Sequence, residues 1–119
     1  MSETIKGLKL IVTIVNRGKG KTIIEAYRQH GVTYHLTCLG RGTAKTELLE
    51  YLGLGQKERD IVLSIAEYDE VPPIMNMLNE ELDFREPGHG IAFTIPLASV
   101  GGPTTLKYFM GMFDKGEGK

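Results

Sequence analysis

The chain has 119 residues, 41% apolar and 24% charged, an ordinary balance for one globular domain built on one core. The net charge is −1 and the charges are scattered, so no basic stripe supports a nucleic-acid partner. No apolar run nears the roughly 20 residues that span a bilayer, and Met-Ser-Glu-Thr-Ile-Lys at the start lacks a secretion signal's apolar core, so a cytoplasmic, non-transmembrane protein is expected.

After a polar lead-in, Leu8 to Val15 is dense in β-branched residues and too short for a typical helix, which predicts a first strand. Asn16-Arg17-Gly18-Lys19-Gly20-Lys21-Thr22 follows. A phosphate loop requires a glycine five positions before the Gly-Lys-Thr glycine, and that position is Val15. The match fails. A basic strand-to-helix turn remains, whose backbone N–H groups with Lys19 or Lys21 could meet an anion. Thr22 to His30 reads as a helix with Ile23, Ile24, Ala26 and Tyr27 on its apolar face, stopped by Gly31. Val32 to Leu39 reads as the second strand. In it Cys38, the lone cysteine, reads as a small core residue and His35 as a structural or interface histidine.

The apolar run stops at Gly40-Arg41-Gly42. Thr43 can cap a short amphipathic segment carrying Leu48, Leu49 and Leu52, which ends at Gly53 and Gly55. Such an insertion between strands exceeds what a turn needs, so it is the expected effector element. Ile61 to Ala66 is the third strand. Asp69 or Glu70 and Pro72-Pro73 announce a helix with Ile74, Met77, Leu78 and Leu82 as its stripe. Phe84 to Gly90 is a turn, and Ile91 to Leu97 is a fourth strand that Pro96 places at an edge. The expected domain is 1–102 with the insertion at 40–57, followed by a tail at 103–119 that contains the apolar stretch Tyr108 to Phe113.

This order predicts an α+β, ferredoxin-like βαββαβ (split βαβ) fold: a four-stranded antiparallel sheet with two helices on one face. Leu10, Val12, Ile61, Leu63, Ile65, Phe93 and Ile95 are expected to supply the core. Ile11, Val15, Val62, Ala66 and Ala92, mixed with threonines and Ser64, would form the second face. That face is too uncharged for an open surface, which predicts burial against further copies in a symmetric oligomer. Leu8–Val15 and Ile61–Ala66 carry no aromatics, against an RNA-recognition module that stacks bases on its central strands.

Gly40-Arg41, Thr46-Glu47-Leu48 and Gly88-His89-Gly90-Ile91-Ala92-Phe93 give the chain a resemblance to the PII-like nitrogen-regulatory signalling proteins over roughly residues 8–102. The resemblance implies a trimer whose insertion, residues 40–55, is a flexible T-loop engaging a regulated partner protein. It also implies a glycine-rich B-loop that cradles a nucleotide, ATP or ADP, in a cleft between subunits. Gly40 and Arg41 then match the Gly-Arg of the T-loop base, and Gly88 and Gly90 match the two glycines of the B-loop's Gly-Asp-Gly-Lys. His89 stands for the family's aspartate, Ile91 for its phosphate-binding lysine, and Gly42 for the glutamine that helps bind 2-oxoglutarate. The basic pair beyond the last strand is missing from Ala98 to Gly102, and the modified tyrosine has no match in register. Polyphosphate needs cations, so these losses weaken the nucleotide implication and leave the effector open among small anions. The expected protein is a non-enzymatic, ligand-responsive regulator. The alternatives are an acylphosphatase-type enzyme, of which Asn16 and Arg17 are a faint echo, and a metal-responsive trimer, for which His30, His35 and His89 lack ligand spacing.

Overall fold

A computed structural model describes residues 7–41 and 58–109. Strand β1 (Leu8–Asn16) leads into helix α1 (Gly20–Gln29), then strands β2 (Tyr34–Arg41) and β3 (Glu58–Glu67). A 3₁₀ turn (Tyr68–Glu70) opens helix α2 (Val71–Glu80), strand β4 (Ile91–Pro96) follows, and a short helix α3 (Pro103–Phe109) ends the described chain. The sheet order is β2-β3-β1-β4 with every neighbouring pair antiparallel, so the expected α+β, ferredoxin-like arrangement stands. Pro96 does sit on an edge strand. Among the described residues no helix is long and apolar enough to cross a membrane.

Boundaries differ from expectation for local reasons. Helix α1 starts at Gly20, ahead of Thr22, because the Asp60 carboxylate accepts the N–H groups of Gly18 and Gly20 and supplies the missing cap. Strand β2 runs through Gly40 and Arg41, which pair with Arg59 and Glu58. Residues 103–109, expected as part of a tail, are helical, with Pro103 at the first position where its missing N–H costs nothing. The proposed amphipathic segment at Thr43–Gly55 and the stretch beyond Phe109 lie outside the described residues.

The two sheet faces are exchanged relative to expectation. The helices cover Ile11, Thr13, Val15, Val62, Ser64 and Ala66, which form the core with Ile23, Tyr27, Val32, Ile74, Met77 and Leu78. The register stacks Tyr34, Ile65, Leu10 and Ile95 in one row of the open face. Leu36, Leu63, Val12 and Phe93 form the next row, and Cys38, Ile61, Ile14 and Ile91 a third. Of the residues expected in the core, Ile65 is buried, Leu10, Val12, Ile61 and Leu63 are at most half-exposed, and Phe93 and Ile95 are exposed at 43% and 45%. Cys38 is likewise exposed, not a core residue.

The covered face tolerates polar groups because each finds a partner. Thr13 and Tyr27 share a hydroxyl hydrogen bond of 2.6 Å at fully buried positions. Burial pushes the Tyr27 hydroxyl up to about 12, against the smaller opposing effect of the Thr13 bond. His35 spans Ser64 Oγ at 2.9 Å and the Val32 carbonyl at 3.0 Å. A carbonyl only accepts, so Nε2 carries the proton and Nδ1 accepts from Ser64.

Thr13→Val or Tyr27→Phe should each cost about 1–3 kcal/mol, because each leaves a buried hydroxyl without a partner. The double variant should cost clearly less than the sum in denaturant unfolding, and strict additivity would contradict the bond. His35 supplies a pH test. Desolvation first, opposed by the Val32 bond and aided by Arg28, holds its folded-state pKa below the ordinary 6.5. The unfolded chain therefore takes up the proton more readily. Stability should be full above the unfolded value, fall as pH drops through it, and level off below the lower folded value. His35→Asn should flatten that slope in unfolding midpoints measured across the interval.

Candidate functional site

The glycine turn after α2 is built from the inside outward. Asp83 takes a left-handed backbone (φ 55°), which returns the Phe84 N–H to the Leu78 carbonyl at 2.9 Å. The Phe84 ring then lies so close to Gly90 that a Cβ there would sit 2.7 Å from Phe84 Cζ and 2.9 Å from Val15 Cγ1. Gly90 also has φ 139°, so glycine is required for conformation and for space. Asn16 Nδ2 donates to the Gly88 carbonyl at 3.3 Å, tying the end of β1 to this turn. His89 Nδ1 lies 3.4 Å from the Leu82 carbonyl, at the molecular surface.

The other expected group sits at the end of β2. Arg41 faces Glu58 across the last pair of the β2–β3 ladder. Arg41 Nη2 lies 3.9 Å from Glu58 Oε2, and Arg17 Nη1 lies 3.4 Å from Glu58 Oε1. Arg59 Nη1 donates to the Glu58 carbonyl at 2.8 Å. Two guanidinium groups thus share one carboxylate, and a third holds its backbone, where the chain leaves and re-enters the sheet around residues 42–57. The Arg41–Glu58 pair is exposed on both sides, so it holds little energy and can be exchanged for another anion.

Of the six expected residues, Gly42 lies outside the described residues. Gly40 and Arg41 lie at the same end of the sheet as Gly88, His89 and Gly90 but at the opposite edge, since β2 and β4 flank the sheet. Three strand spacings separate the two edges, about 14 Å, so one chain does not bring the groups together. The anion reading of the Gly18–Gly20 turn has an internal answer: Asp60 Oδ2 accepts both N–H groups, at 2.9 and 3.0 Å. Glu58, Asp60 and Phe84 shape these regions, and no sequence motif singles them out. Among the described residues no group of three or more His, Cys, Asp or Glu is placed to hold a metal ion.

No family model matches the chain, and no curated protein does. Solved structures do. A PII-like signalling protein from Thermus thermophilus matches with TM-score 0.57 and 20% identity, over 74% of this chain and 83% of that one. CPII from Thiomonas intermedia K12, bound to ADP, AMP and acetate, matches with TM-score 0.61 and 14% identity, over 82% and 91%. Arabidopsis thaliana PII bound to citrate matches with TM-score 0.59 and 18% identity, over 79% and 78%. At such identities the likeness is one of architecture, and it shows that the chain has the fold of the PII-like signalling proteins.

Proposed function

We propose that the chain is a divergent PII-like signalling protein of the cytoplasm. In this reading it is a homo-oligomer, a trimer, that senses a small anion between subunits and regulates a partner protein through the 40–55 segment. A role in nitrogen metabolism belongs to the same reading. The supporting observation is the open sheet face. Its rows consist of Leu, Ile, Val, Phe and Tyr side chains beside Cys38, and Leu36, Ile91, Phe93 and Ile95 are 43–54% exposed, the kind of apolar surface that marks an interaction site. Fully burying one such side chain is worth about 1.5–3 kcal/mol, so the face favours self-association.

A closed ring of copies would turn these faces inward. It would also set the β2 edge of one copy beside the β4 edge of the next. Gly40, Arg41 and Gly42 of one copy would then approach Gly88, His89 and Gly90 of its neighbour, assembling the crevice that a single chain leaves divided. Arg41 would exchange Glu58 for the ligand. The missing lysine and basic pair favour a nucleotide of low charge or a small organic anion over a triphosphate. Neighbours of this fold have been seen with ADP and AMP, with acetate or bicarbonate, and with citrate. Anion at the crevice would shift the population of the 40–55 segment toward the form that binds the partner.

Phe93→Glu, at a site already 43% exposed within one chain, should reduce the mass in sedimentation from oligomer to monomer and leave the far-ultraviolet circular dichroism intact. A wild-type chain that is itself monomeric would refute the assembly. A thermal-shift screen with ADP, AMP, citrate and bicarbonate should find at least one ligand that raises the melting temperature, with the rise lost in Arg41→Ala. Removing Ala44–Leu54 should leave the oligomer folded and abolish partner capture. Undiminished capture would exclude the segment as the effector.

A further inference from the structure

A cavity on the helix side of the sheet is walled by one chain and meets the proposed subunit crevice only at Gly88 and His89. It measures about 280 Å³ and opens between the β1–α1 turn and the 82–89 turn. Its inner wall is apolar: Val15 and Ile23 are 1% and 2% exposed, with Leu82 and Phe84 beside them. Its mouth is polar, carrying Lys19, Thr22 and His89. One chain builds all of it.

We propose that this cavity is an effector site for a small organic monocarboxylate with a short apolar body, such as a branched or aromatic acid. The size is at the lower end of small-molecule sites. The apolar wall takes the body, and the mouth takes the charge. Lys19 is the cation there, and among the described residues it makes no ion pair. The Thr22 hydroxyl, one helical turn on, adds a second donor. One ammonium matches one negative charge, whereas a phosphate dianion would need further cations.

The walls are held before any ligand arrives. Asp60 fixes the Gly18–Gly20 turn, Asn16 fixes Gly88, and Gly90 lets Phe84 close the floor. Such a cavity binds without first having to order its own loops.

The test is a titration of the full-length ¹⁵N-labelled protein with butyrate and with benzoate at constant ionic strength, followed by amide chemical shifts. Acetate and chloride serve as references lacking the apolar body. Benzoate or butyrate should give saturable shifts in Asn16–Ile23 and Leu82–His89 and leave Gly40 and Arg41 unmoved, and acetate should bind distinctly more weakly. Lys19→Gln, an exposed change, should weaken binding about tenfold, the loss of one charge-assisted contact. Thr22→Phe should block the mouth, and Arg41→Ala should leave binding unchanged. Absence of saturation, shifts centred elsewhere, acetate binding as tightly as benzoate, or an unaffected Lys19→Gln would overturn the proposal. Because the site lies within one chain, a monomeric Phe93→Glu protein should still bind, so failure of the oligomeric signalling reading and failure of this one give different results.

Discussion

The Asp60 carboxylate sets the geometry of the end of the molecule that carries the candidate site. It is 8% exposed on β3, where the register pairs Asp60 with Val15 on one side and Leu39 on the other. Its Oδ2 accepts from Gly18 and Gly20, a charged acceptor at the start of α1, where the helix dipole and unpaired N–H groups favour negative charge. A Cβ on Gly20 would sit 3.0 Å from that oxygen, so the contact leaves little room for any other residue. The turn held this way carries Asn16 on one side, which reaches Gly88, and Arg17 on the other, which reaches Glu58. One buried carboxylate on β3 thereby positions a wall of the helix-side cavity and part of the arginine group beside residues 42–57.

Topology is readable from the sequence because it rests on local signals. β-branched runs, glycine stops and the proline pair delimit elements, and right-handed crossovers leave few ways to join them. The face of the sheet that meets the helices is not readable. Alternation separates two faces without saying which one the helices choose, and apolar content alone points the wrong set inward. The structure places Thr13 and Ser64 inward instead, because Tyr27 descends from α1 to bond Thr13 and His35 accepts from Ser64. These pairs join residues 14 and 29 positions apart, and nothing in a single sequence announces them. The more apolar set is the one left on the open face, and strength of hydrophobicity alone cannot separate a core from an interface.

The candidate site divides the same way. Gly40-Arg41 and Gly88-His89-Gly90 are visible as glycine punctuation, and the space and backbone reasons for Gly90 follow once Phe84 is placed. Their relation is not visible. Strand order puts them on opposite edges, and only the pairing of β2 with β3 and of β1 with β4 reveals it. Glu58 and Asp60 sit in a charged stretch, Lys57-Glu58-Arg59-Asp60, that no sequence motif singles out. Glu58 stays exposed and gathers arginines, whereas Asp60 turns inward to the helix. Strand alternation sends neighbours two apart to the same face, so this divergence comes from the partners each side chain finds.

The charge at this end bears on how the proposed anion site could do without the phosphate-binding lysine that the resemblance calls for. Arg17 and Arg41 converge on the Glu58 carboxylate, leaving one positive charge in excess at the ladder's end. Guanidinium groups are planar, stay charged at every physiological pH and grip carboxylate or phosphate oxygens two at a time. Glu58 stands in for that ligand, and its contact with Arg41, at 3.9 Å, is the looser of the two. An incoming anion therefore meets a preformed cation whose present partner costs little to release, since exposed pairs are worth about 0–1 kcal/mol. Arg41 and Glu58 are also the last pair in the β2–β3 register, the point where the chain departs into residues 42–57. In the proposed reading, ligand recognition and the expected effector segment would therefore meet at one exchangeable ion pair.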